Sequence, residues 1–163
     1  MRETKYRGKA VDDGEFVRKG DWVYGSLINN IYFEDTKEPI PFILTTDYCE
    51  RCFNSCDDNE GFFGCDDAFV KVDPETVGQY MGLNDKDGTN RFEGDYLGNW
   101  ADEQWETFGY IKYCDESDCM EAGRYYLADK DGNVSEWWDG DWSEVKHLEV
   151  IGNIHDNPEL LNV

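Results

Sequence analysis

Cysteine is the residue type best placed to do chemistry in this chain. Four of the six cysteines fall in one polar, Asp/Asn/Gly-rich stretch, Cys49-x2-Cys52-x3-Cys56-x8-Cys65, and Cys114-x4-Cys119 follows later. Zinc takes four soft ligands in a tetrahedron, and a CxxC knuckle supplies two of them cheaply. The first knuckle is present, but the spacing after it is irregular. The stretch therefore reads first as a loop of free thiols in a reducing cell. A zinc site on Cys49, Cys52, Cys56 and Cys65 is the second reading, and a disulfide is the third, since cytosolic disulfides are uncommon. Asp47, Glu50, Asp57, Asp58, Asp66 and Asp67 surround these thiols. Their negative field disfavours a thiolate, which opposes an activated nucleophile without opposing a metal.

Calcium is a weaker candidate. Asp85-Lys-Asp-Gly-Thr-Asn looks like part of an EF-hand loop, but the spacing fails. With Gly88 at loop position 6, Leu83 stands at position 1 and Gly94 at position 12, where a bidentate Glu belongs. The second copy of the tetrapeptide, Asp129 to Gly132, puts Leu127 at position 1. Both copies read as turns. Nucleophilic catalysis has little support: there are two histidines, His147 and His155, and no Gly-x-Ser-x-Gly, HExxH, P-loop or GxGxxG. The chain is therefore expected not to be an enzyme. Aromatic side chains remain. Trp137 and Trp138 are adjacent, so on a strand they would face opposite sides, one into the core and one outward. The outward one, with Trp142, Tyr125 or Tyr126, would make a binding anchor, because Trp and Tyr join a large contact area to a polar tip.

Strands must position these groups. Helical periodicity is nearly absent. Its best candidate, Asp73 to Gly82, opens with an N-cap, a proline and an acid, then breaks at Gly78 and Gly82 after one or two turns. Strand signals are stronger. Trp22 to Asn29 is expected to turn at Asn29-Asn30 and return along Ile31-Tyr-Phe. Ile40 to Thr46 reads as a strand that Pro41 confines to an edge. Phe69 to Val72, Phe108 to Tyr113 and Glu149 to Ile154 read as further strands. Arg124 to Ala128 and Asn133 to Trp138 flank a hairpin turn at Asp129-Lys-Asp-Gly. Gly-Asp-aromatic triplets at residues 20–22, 94–96 and 140–142 look like turns that open strands. Short strands at this spacing argue for a small barrel or sandwich and against a parallel βαβ fold.

Composition narrows the function. The 163 residues carry 15 Lys+Arg against 37 Asp+Glu, a net charge of −22. A general binder of phosphate backbones needs clustered Lys and Arg, so direct nucleic-acid backbone binding is not expected. No apolar run is long enough to span a bilayer, and the first residues lack a secretory h-region, so a cytoplasmic protein without membrane attachment is expected. Aromatic residues at 15% are enough to form a core and argue against disorder. Residues 1–19 carry six bases and four acids, whereas residues 76–163 carry six bases and 20 acids and five of the six tryptophans. The shift places a soft boundary near Val72-Asp73-Pro74. An N-terminal β region over 1–75, with a Cys-rich loop at 47–67, would precede a second region over 76–163, the alternative being one compact unit.

The order of motifs resembles one family. Arg2-Glu-Thr-Lys-Tyr-Arg-Gly and Trp22-Val-Tyr-Gly-Ser-Leu resemble the N-terminal signature of the YopX family of phage and prophage proteins. Val72-Asp-Pro-Glu-Thr-Val-Gly-Gln-Tyr-Met-Gly-Leu-Asn-Asp-Lys-Asp-Gly is similar to its central motif, and Phe92-Glu-Gly-Asp-Tyr to the strand that follows. Val150-Ile-Gly-Asn-Ile-His-Asp-Asn-Pro-Glu-Leu-Leu resembles its C-terminal signature. The resemblance implies an all-β fold with one or two short helical turns and a small SH3-like barrel in the C-terminal half. It supplies no catalytic residues. Asp73, Pro74, Gly78, Gly82, Gly88, Gly94, Asp95 and Gly152 then read as a structural framework, with Val77, Tyr80 and Leu83 pointing inward at helix-like spacing. The functional expectation is a phage or prophage binding module whose acidic, aromatic face holds a basic protein surface. A DNA mimic that occupies a host nucleic-acid-binding protein and a zinc-binding module are the alternatives. Partner identity and oligomeric state are not legible.

Overall fold

A computed structural model describes residues 5–14, 16–31, 39–45, 69–101, 103–114 and 125–162. The chain divides into two compact units, Met1–Gln79 and Tyr80–Val163. The fold is all-β: among the described residues, the helical segments are two 3-10 turns, Pro74–Thr76 and Pro158–Asn162.

In the first unit, β1 (Tyr6–Lys9), β2 (Trp22–Ile31), β3 (Ile40–Thr45) and β4 (Phe69–Lys71) form an antiparallel sheet in the order β4-β3-β2-β1. The opening residues of β5 (Gly78–Asn84) pair with β1. Burial alternates along β3, as one face of a half-covered sheet requires. Leu27, Ile43 and Val70 are cross-strand neighbours in one row. They pack with Ala10, Val17, Val23 and Val72 into the core. Trp22 lies beside two cations of β1, with the Arg7 guanidinium 4.6 Å and the Lys9 ammonium 5.4 Å from its ring. The Pro74–Thr76 turn is capped as its sequence requires: the Asp73 carboxylate accepts the Glu75 N–H at 3.0 Å. Thr76 Oγ1 donates to the Asp73 carbonyl at 2.8 Å and accepts the Lys9 N–H at 2.9 Å, which ties the turn to β1.

In the second unit, the rest of β5 pairs with β6 (Asn90–Phe92). β7 (Asp95–Ala101), β8 (Gln104–Tyr113), β9 (Tyr125–Ala128) and β10 (Glu149–Asn153) form an antiparallel sheet in the order β10-β7-β8-β9. Leu97, Ile111 and Leu127 are fully buried and join Met81, Val145 and Leu148 in the main cluster. A second cluster holds Cys114, Tyr126 and Ala128, with Tyr110 against it. Cys114 is disulfide-bonded.

The two Asp-Lys-Asp-Gly segments are the same turn. Asp85 Oδ1 accepts the N–H groups of Asp87 and Thr89 at 2.9 and 2.8 Å, and Asp129 Oδ1 accepts those of Asp131 and Asn133 at 2.9 Å each. Gly88 and Gly132 complete the turns at φ 88° and 81°, left-handed values that an L side chain rarely adopts. Two of the three Gly-Asp-aromatic triplets open strands, β2 at Trp22 and β7 at Asp95.

Several expectations are corrected. Residues 78–84 form a strand whose register with β6 is irregular between Tyr80 and Asn84; Met81 is buried and Leu83 is exposed, so Leu83 does not point inward as the helical reading requires. Asn29 and Asn30 do not turn. β2 runs through them, and its register with β3 slips from Ile28↔Phe42 to Ile31↔Ile40. That slip explains why Pro41 sits in an interior strand: it lies opposite the irregularity, where its missing N–H is not called on, while its carbonyl accepts Val72 N–H at 3.1 Å. Asn133–Trp138 is not a strand. Only Val134 makes a bridge, to Ala128, and the chain then turns. The triplet at 140–142 leads into turns because Asp141 Oδ1 accepts Ser143 N–H at 2.8 Å.

Candidate functional site

The 129–138 segment builds the most developed surface of the second unit. β9 ends at Ala128, the Asp129–Gly132 turn reverses the chain, and Ser135 then pins it down. Ser135 N–H donates to the Leu127 carbonyl at 2.8 Å, its Oγ donates to the Phe108 carbonyl at 2.9 Å, and the same oxygen accepts Trp137 N–H at 3.3 Å. Ser135 is buried, so these bonds form out of water and hold the turn on β8 and β9. The turn separates the two adjacent indoles. Trp137 is thrown outward, 57% exposed, edge-to-face on Phe108 at 5.2 Å. Trp138 goes inward onto Trp142, ring centres 4.5 Å apart, and Trp142 Nε1 donates to the Tyr125 carbonyl at 3.2 Å.

Thr107, Phe108, Val134, Ser135, Trp137 and Leu160 line an open groove of about 570 Å³ to which Asp129, Lys130 and Glu136 add charge. Its lining is more polar than apolar, with Phe108, Val134, Trp137 and Leu160 as the apolar part, and the exposed indole gives it one aromatic wall. The five aromatic residues singled out from the sequence therefore separate. Trp137 lines the groove. Trp138, Trp142 and Tyr125 pack against the apolar cluster, and Tyr126 is buried with its hydroxyl on the Gly132 carbonyl at 3.1 Å.

Three charged residues meet inside the same unit. The fully buried Arg91 donates through Nη2 to the carbonyls of Val145, Lys146 and Leu148 at 3.2, 3.3 and 2.7 Å. Burial pulls its pKa down, and the charges of Asp85 and Asp95 oppose that pull. Burial pushes the Asp85 carboxyl up, but N–H groups of Thr89, Val150 and Asp87, helped by Arg91, outweigh it and hold the group below its usual range. Asp95 Oδ2 accepts Phe92 N–H at 2.8 Å. All these partners are backbone groups of the fold itself, so the cluster organises β6, β7 and β10. Sequence reasoning missed Arg91, which stands between Asn90 and Phe92 with no local pattern to mark it as buried.

The remaining framework residues serve the same end. Gly78 and Gly82 lie in β5. Gly94 donates to the Ile111 carbonyl and accepts Ile154 N–H, at 2.8 and 2.9 Å. In the C-terminal signature, Asn153 Oδ1 accepts the N–H groups of His155 and Asp156 at 3.0 Å each, and Asn157 Oδ1 lies 3.3 Å from Asn153 N. Cys49, Cys52, Cys56 and Cys65 lie outside the described residues. Among the described residues, no three His, Cys, Asp or Glu side chains are grouped to hold a metal. No helix among them is long and apolar enough to cross a membrane.

Sequence reasoning also passed over a second exposed aromatic pair. Trp100 and Trp105 face each other across the β7–β8 hairpin, 54% and 40% exposed, edge-to-face at 5.4 Å. Two tryptophans five residues apart around Ala-Asp-Glu-Gln were the signal.

The chain matches no curated protein. It is similar in structure to the protein EF1440 from Enterococcus faecalis, at 21% sequence identity and a TM-score of 0.50 over 99% of both chains. At that identity the likeness concerns the fold alone. The family described as YopX protein matches residues 16–162, nearly the whole length, and the chain belongs to the YopX family.

Proposed function

We propose that this chain is a non-enzymatic, protein-binding module of a phage or prophage, made in the host cytoplasm, and that its second unit, built as a small SH3-like barrel, holds a basic partner. The observation that carries this reading is Trp137, held outward over Phe108 at the edge of an open groove by the buried Ser135. An exposed indole braced on a second ring presents a large contact area with a polar tip, and Trp is among the side chains enriched at interface hot spots. The net charge of −22 supplies the second half of the reading, because it favours and steers a cationic partner.

The test is a tagged full-length chain used to isolate a host partner, followed by calorimetric titration of the purified pair. Trp137→Ala is expected to weaken the complex at least tenfold with the fold intact, since the side chain is exposed, and affinity is expected to fall steeply with salt. A complex indifferent to both Trp137→Ala and salt would refute the proposal.

A further inference from the structure

The tip of the β7–β8 hairpin carries a second recognition feature, independent of the Trp137 groove. Trp100 and Trp105 are register partners, and their rings meet edge-to-face, which leaves indole surface turned to water. A cross-strand aromatic pair stabilises a hairpin by about 1 kcal/mol or less. That alone does not call for two half-exposed indoles at the end of a sheet whose core lies elsewhere.

Three observations select what covers them. The first is charge: the second unit carries 20 acids against six bases, so a cation arriving at the tip meets a favourable field. The second is the backbone of Glu103. It lies between the register partners Ala101 and Gln104 on the hairpin and stands at φ 67°. Glycine takes that conformation freely, whereas a residue with a Cβ is strained by about 1–2 kcal/mol. The turn thus keeps a carboxylate at a position where glycine would be more stable, and Glu103 is exposed and makes no ion pair among the described residues. The third is precedent within the molecule. Trp22 lies beside Arg7 and Lys9, whereas no cation of the described residues lies over Trp100 or Trp105.

We infer that the Trp100–Trp105 pair, with Glu103 beside it, is a docking point for an arginine side chain of a basic protein partner. A guanidinium is planar and weakly hydrated, so it stacks on an indole and still donates to a carboxylate. An ammonium is more strongly hydrated and gains less. The inference rests on the binding-module reading and names the side chain that such a partner would present.

The experiment titrates the full-length chain, 15N-labelled, with the peptide acetyl-Arg-Gly-Arg-Gly-Arg-amide and with its citrulline counterpart, a neutral isostere. The indole N–H resonances are followed one by one. The arginine peptide is expected to shift Trp100 and Trp105 and leave Trp137 in place, with the citrulline peptide at least tenfold weaker. Glu103→Gly is expected to weaken binding at least threefold while the melting temperature holds or rises, an outcome that a merely structural Glu103 would not produce. Trp105→Leu is expected to abolish the shift at Trp100. Shifts at Trp137 alone would overturn the inference and leave the groove reading standing. Equal binding of the citrulline peptide, or no shift of either tip indole, would overturn it as well.

Discussion

Asp85 and Asp129 occupy the same turn in two settings, so replacing each by alanine isolates what burial adds. At Asp129, alanine removes an acceptor from the Asp131 and Asn133 N–H groups, both of which are in exposed residues and regain water. The cost should be about 1 kcal/mol, the size of a lost cap. At Asp85, the same turn bonds are lost, and two further effects follow. Oδ2 accepts Val150 N–H of β10 at 3.2 Å, and a bond to a charged acceptor contributes about 1.5–3 kcal/mol. The carboxylate also offsets part of the charge of the fully buried Arg91, which loses that support. Asp85→Ala should therefore cost about 3–5 kcal/mol, several times the cost at Asp129. Urea unfolding followed by tryptophan fluorescence measures both, because five of the six indoles lie in the second unit. Amide exchange at Val150 should accelerate only in the Asp85 variant. Equal costs for the two variants would show that the buried network does not stabilise the unit and would refute the reasoning.

Asp85 also sets a pH dependence. Its folded pKa lies below the unfolded value of about 3.9, so its contribution is complete above that value and is lost as pH falls through the folded one. The stability difference between the native chain and Asp85→Asn should stay level from neutrality to about pH 5 and shrink below about pH 4. The Tyr96 hydroxyl is fully buried and has no hydrogen-bond partner among the described residues. Tyr96→Phe should therefore be neutral or raise stability by about 1 kcal/mol in the same urea experiment. Burial also raises the pKa of Tyr96 and Tyr110, so a spectrophotometric titration should show a late-ionising tyrosine fraction that each Tyr→Phe variant reduces. Gly152→Ala would bring a Cβ to 2.5 Å from Asn157 Oδ1. It should lower the melting temperature by several degrees, as about 1–3 kcal/mol of crowding would.

Local chemistry made much of the framework readable. The Asp73 cap, both Asp-Lys-Asp-Gly turns and the strand openings at Trp22 and Asp95 depend on short-range bonds between a side chain and its neighbours' backbone, and these residues signal them directly. Short apolar and aromatic runs revealed β3, β9 and β10, and the alternation of Phe108 to Tyr113 revealed the second half of β8. The reading failed where two local signals conflicted. Asp73 to Gly82 reads as one or two helical turns with Val77, Tyr80 and Leu83 inward, yet pairing with β1 and β6 makes residues 78–84 a strand. Asn29-Asn30 carries a turn signal that pairing with β3 overrode.

From the sequence alone came the all-β class, the acidic surface and the membership of a family, since each depends on residue types and their order along the chain. Tertiary structure decided which indoles reach solvent. Trp137 and Trp138 are adjacent and chemically identical, and only the bonds of Ser135 to β8 and β9, residues distant in sequence, turn one to the groove and the other to the core. Arg91 follows the same logic: its three carbonyl partners lie more than fifty positions away, so no local pattern could announce a buried cation.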